Sequence, residues 1–105
     1  MYTYCVTFRI SDKTINGKTY AQRREMLINN VRKEGRGYWE ETTSFFLVES
    51  PDNTNAVTQA ASKGLSPQDD ILVVFDPSDM SMGYFGPIKH LDVLKSFFAA
   101  SKKVP

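Results

Sequence analysis

The stretch Met1–Ser11, MYTYCVTFRIS, alternates strictly. Tyr2, Tyr4, Val6, Phe8 and Ile10 fall on one side, and Thr3, Cys5, Thr7 and Arg9 on the other. Period two with β-branched and aromatic residues is a strand. Its first side is apolar throughout and must lie on a core. Its second side is semi-polar and can face water or a partner.

Everything downstream supplies material for that core. Asp12–Lys18 is a polar loop with the turn pair Asn16-Gly17. Thr19-Tyr20-Ala21-Gln22 fits a capping box, in which the threonine hydroxyl and the glutamine side chain each satisfy a free backbone N–H. The helix that follows carries Tyr20, Leu27 and Val31 at helical spacing, and Gly35 is its expected stop. Tyr38–Ser50 reads as a hairpin, YWEE then FFLV, joined by Thr42-Thr43-Ser44. Pro51-Asp52-Asn53-Thr54-Asn55 is a loop rich in helix-cap residues. Val57, Ala60, Ala61 and Leu65 then face inward, with Gly64 as the stop. Asp70–Phe75, DILVVF, is a strand apolar on both faces. Asp79–Pro87 reads as a Met/Gly/aromatic loop, and Ile88–Ala100 as a helix with the stripe Leu91, Leu94, Phe97 and Phe98.

The order β-α-β-β-α-β plus a C-terminal helix is the ferredoxin-like split arrangement. It predicts an α+β domain: a four-stranded antiparallel sheet in the order 4-1-3-2 with both helices on one face. The chain has 105 residues, so one domain is expected, with a core over 1–76 and a tail over 77–105. Phe45–Val48 and Ile71–Phe75 are apolar on both sides, so the second face needs a cover. The tail helix, a second subunit, or both would supply it, and a homodimer is expected.

Composition narrows the function classes. Hydrophobic residues make up 41% and charged residues 24%, ordinary for a globular domain. Lys+Arg 13 against Asp+Glu 12 leaves +1, so bulk charge points to neither nucleic acid nor membrane. The longest apolar run, Ile71–Phe75, is far short of the roughly 20 residues of a membrane span. One cysteine excludes an internal disulfide, and one histidine excludes a multi-His metal site. The N-terminus alternates and has no signal-peptide core, so a cytoplasmic protein is expected.

The strand YCVTFRIS, the hairpin YWEETTSFFLVES and the late strand DDILVVFDP together resemble the short CRISPR adaptation endoribonuclease family, here called Cas-two. They are also similar to short bacterial relatives labelled SinR-like and, more distantly, to virulence-associated protein D. The resemblance covers about residues 1–76. It implies a ferredoxin-like fold, a dimer formed through the sheets, and either metal-dependent nuclease activity or a structural nucleic-acid-binding role. The family's key acid sits near the end of the first strand. In this chain the stretch is Phe8-Arg9-Ile10-Ser11-Asp12, with Arg9 in the acid's place. A guanidinium cannot coordinate Mg²⁺, which takes oxygen ligands.

The candidate residues follow. Asp12, Asp69 and Asp70 could gather where the end of strand one meets the start of strand four, with Asp12 as the catalytic acid and Mg²⁺ as its metal. Acids flanking strands are more often solvated loop ends. Arg9 is either an interface ion-pair partner or a phosphate contact. Arg23, Arg24, Arg32, Lys33 and Arg36 form the densest basic region, a possible phosphate track, although Glu25 and Glu34 interrupt it. His90 reads as a surface or capping residue, Cys5 as an inert thiol, and Trp39 as core or interface. Tyr84-Phe85-Gly86-Pro87 reads as packing for the tail, or as a partner-docking or base-stacking element. The expected function is binding of a partner or nucleic acid without efficient nuclease chemistry and without a cofactor. The alternatives are a metal-dependent endoribonuclease, a toxin-like one included, and a structural or anti-defence interaction module.

Overall fold

A computed structural model describes residues 1–105. Strands are β1 (Tyr2–Arg9), β2 (Tyr38–Trp39), β3 (Phe45–Ser50), β4 (Ile71–Asp76), β5 (Ser81–Phe85) and β6 (Ala100–Lys103). Helices are α1 (Tyr20–Val31), α2 (Thr54–Ser62) and α3 (Leu91–Ser96).

The local signals act as their chemistry dictates. The Thr19 hydroxyl accepts from Gln22 N at 3.2 Å, and Gln22 Oε1 accepts from Thr19 N at 2.9 Å, closing the capping box. Asn53 caps α2, its side-chain oxygen accepting from Ala56 N at 2.8 Å. Gly35 does not end α1. The helix stops at Val31, and Gly35 takes φ +81° in the turn beyond.

One mixed sheet runs β2-β3-β1-β4-β5-β6. All neighbours are antiparallel except β5 and β6, which are parallel. The first four strands stand in the order 2-3-1-4, which is 4-1-3-2 read from the other edge. The expectation of a four-stranded, wholly antiparallel sheet is corrected: the sheet has six strands, and the tail over 77–105 supplies two of them.

The tail shows why. The stretch expected as a loop contains β5, joined to β4 by a tight hairpin. Met80 N donates to Asp76 O at 2.8 Å, and Asp76 Oδ1 accepts from Ser78 N and Oγ. Met80 holds φ +59°, a conformation for which glycine is the usual sequence signal. Gly83 lets β5 approach α2: a Cβ there would lie 2.1 Å from Thr58 Oγ1. The helix expected over Ile88–Ala100 is six residues long. His90, at φ +54°, offers it no side-chain cap. Beyond Phe98 the chain turns extended, because the free backbone edge of β5 offers a ladder of bonds that must be satisfied. Ala99 N donates to Met80 O at 3.0 Å, and Val104 N to Tyr84 O at 2.9 Å.

The main core fills the helix side of the sheet. Tyr4, Val6, Phe8, Phe46, Val48, Leu72 and Val74 meet Leu27, Val31, Val57 and Ala61 there, and Val104 joins them from the tail. A smaller cluster on the second face has Val73, Met82 and Tyr84 under Ile88, Leu91, Leu94 and Phe98. No helix is long and apolar enough to cross a membrane.

Candidate functional site at the end of the first strand

Antiparallel pairing sets Arg9 opposite Ile71, so the chain leaving β1 passes the residue preceding β4. Asp70 therefore meets Ser11, as the topology predicts. Its Oδ1 accepts from Ser11 N at 2.9 Å. Its Oδ2 accepts from Ser66 N at 2.8 Å and from Arg23 Nε at 3.1 Å. Arg23 completes the lock. Its Nη1 donates to the carbonyls of Lys13 and Lys18 at 2.9 and 2.7 Å, and its Nη2 to that of Ser11 at 2.7 Å. Both side chains are buried, at 1% and 0% exposure. One ion pair thus fastens α1, the 11–18 loop and the 66–70 turn together. Gly86 closes against it, since a Cβ there would sit 1.9 Å from Asp70 O.

This arrangement corrects two expectations. Arg23 does not belong to a nucleic-acid surface, because its donors point inward and are used. Asp70 does not belong to a Mg²⁺ set, because both oxygens are taken and a guanidinium lies against them. Asp69 accepts from Ser66 Oγ at 2.7 Å and lies 3.7 Å from Lys13 Nζ. Asp12 is exposed. No group of three or more His, Cys, Asp or Glu side chains is placed to hold a metal ion. The three aspartates do not fit Mg²⁺ as a set.

The remaining basic residues divide by task. Arg24 pairs with Glu40 and stands 5.7 Å over the Phe8 ring. Glu40 also accepts from the Tyr38 hydroxyl at 3.1 Å. Burial, then that bond and charge, push the Tyr38 phenol above its ordinary range. Arg32 lies 4.3 Å over the Tyr38 ring. Lys33 is exposed and Arg36 half-buried, so outward positive charge gathers at the end of α1 as Arg32, Lys33 and Arg36.

The second face of the sheet carries Arg9, exposed and without an ion pair. Four residues back along β1, a row that pairing defines crosses the same face: Trp39 opposite Leu47, Leu47 opposite Cys5, Cys5 opposite Phe75. Phe75 is covered, its ring 5.2 Å from that of Phe98. The rest of the row is not, and Trp39 is 45% exposed. Burial, then the Asp76 charge, push the half-buried Cys5 thiol above its ordinary value. His90 is exposed on the tail, in a left-handed conformation just before α3. Tyr84 and Phe85 are both buried, packing the tail strand onto each side of the sheet.

A groove of about 450 Å³ between the start of α2 and β6 is lined by Asn53, Asn55, Asp79, Ser81 and Lys102 among others. Hydrogen bonds from the Ser81 hydroxyl and backbone hold the Asp79 carboxyl below its ordinary range. Sequence reading missed this groove because it exists only once β6 is in the sheet. No family model matches the chain, and neither curated proteins nor solved structures yield a match.

Proposed function

We propose that this chain is a small homodimeric binding protein of Cas-two-like descent, with a ferredoxin-like unit over residues 1–76 and a sheet-extending tail. It acts in the cytoplasm by holding nucleic acid or a protein partner, without efficient nuclease chemistry. The observation that carries this reading is the fate of the acids at the end of β1. Asp70 serves Arg23 and two backbone amides, Asp69 serves Ser66 and Lys13, and Asp12 is left alone. Arg9 adds a positive charge where a Mg²⁺ site would need a negative one. Arg32, Lys33 and Arg36 offer phosphate contacts.

Two assays test it. Incubation with single-stranded RNA and duplex DNA in Mg²⁺ or Mn²⁺ should leave both intact. Cleavage that Asp12→Ala abolishes would replace this reading with a metal-dependent endoribonuclease. A binding titration at two salt concentrations should show affinity falling with salt, and falling further in Lys33→Ala with Arg36→Ala. Salt-independent or absent binding would move the protein to the class of pure protein-interaction modules.

A further inference from the structure

The second sheet face is a step. Its raised half is the segment Ile88–Phe98, seated over Val73, Met82 and Tyr84 of β4 and β5. Its lowered half is the bare floor of β1, β3 and β2, with Cys5, Phe45, Leu47 and Trp39. Phe98 lies against Phe75, and Phe75 pairs with Cys5, so the raised half ends where the floor begins. The raised half also has apolar side chains that its own sheet does not use. Val93 is 59% exposed and Phe97 69%.

Two identical faces stacked flat would meet raised half on raised half and hold the floors apart. The step permits closure only if each copy's raised half enters the other's floor. A two-fold axis running along the step does this in one operation, since each copy supplies both surfaces. Charge agrees with that placement. Arg9 on the floor and Asp92 on the raised half are both exposed, and neither forms an ion pair within its own chain.

We infer that the floor is occupied by the α3 segment of a second copy, with Val93 and Phe97 seated on Trp39 and Leu47 and Asp92 facing Arg9 across the two-fold. This rests on the homodimer reading and specifies its register. Apolar anchors at the centre and charges at the rim form the usual anatomy of such a contact.

The test is sedimentation equilibrium on four proteins: the natural chain, Phe97→Ser, Arg9→Asp, and Arg9→Asp combined with Asp92→Arg. The natural chain should dimerise. Phe97→Ser and Arg9→Asp should each weaken the dimer, the first by about tenfold or more as a lost anchor. The double variant should recover most of what Arg9→Asp loses. Because these residues are exposed in a single chain, unchanged circular dichroism and unfolding of the dilute variants separate lost association from lost folding. A dimer that neither single variant weakens, or that the double variant does not restore, overturns this register and leaves the homodimer standing. A natural chain that stays single at every concentration overturns both.

Discussion

The two faces of this sheet were finished by different means. On the helix side, β1 presents Tyr4, Val6 and Phe8 to two capped helices, and an internal ion pair bolts the edge shut. On the other side, a short helix without a side-chain cap covers two strands and leaves three bare. The first face is closed by residues that repeat at fixed periods. The second depends on where a weakly patterned segment comes to rest. A closed face contributes stability, whereas a half-closed one is where a partner has something to gain.

Ending the chain at Pro87 attacks the second face hardest. It removes α3, β6 and the buried Val104, and uncovers Val73, Met82 and Tyr84. At roughly 1.5–3 kcal/mol per fully buried apolar side chain, the loss reaches the order of 5 kcal/mol, the lower end of a small domain's net stability. Thermal melting should show a lost or strongly lowered transition, or aggregation. Unchanged melting would mean that α3 and β6 add nothing and that the first 87 residues are the domain.

On the first face, the bolt can be drawn by Arg23→Met, which strands a buried carboxylate. The expected cost is about 3–5 kcal/mol in urea unfolding. Arg24→Met, one residue along, loses a partly exposed pair with Glu40 and should cost less than about 1 kcal/mol. Equal costs would contradict the distinction drawn between the two arginines. Of similar size is Thr19→Ala, which opens the capping box of α1 at a cost of about 1 kcal/mol by the same measurement.

What could be read from the residues follows the same division. The first strand, the capping box of α1, the hairpin and β4 announce themselves because their patterns are local. The strand order of residues 1–76 follows from connection rules. The tail was misread because Ser81–Phe85 includes a glycine and little β-branching, and its hairpin turn uses Met80 where glycine is the usual signal. At the site, the topology correctly brings Asp70 to the end of β1. The destination of Arg23 was missed, although a signal exists. Arg23, Leu27 and Val31 stand four residues apart on one helix stripe, so an arginine on the buried line needed an internal partner. Asp70, poised before an apolar strand, was that partner.

The smallest effect concerns Cys5 on the bare floor. With its thiol pKa raised by burial and then by the Asp76 charge, alkylation should run slower than for a free thiol at neutral pH. It should slow again as protein concentration rises and the floor is covered. Rapid alkylation independent of concentration would mean that the floor stays open.

The chain's single tryptophan, Trp39, lies on the floor that a second copy would cover. Iodide quenching of Trp39 fluorescence across a dilution series reads the floor directly. As concentration rises through the micromolar range, quenching should fall and emission shift to the blue, in step with a mass moving from 11.9 kDa to twice that value. Quenching and emission that stay constant, with the mass of one chain throughout, would mean that the floor is not an interface between copies.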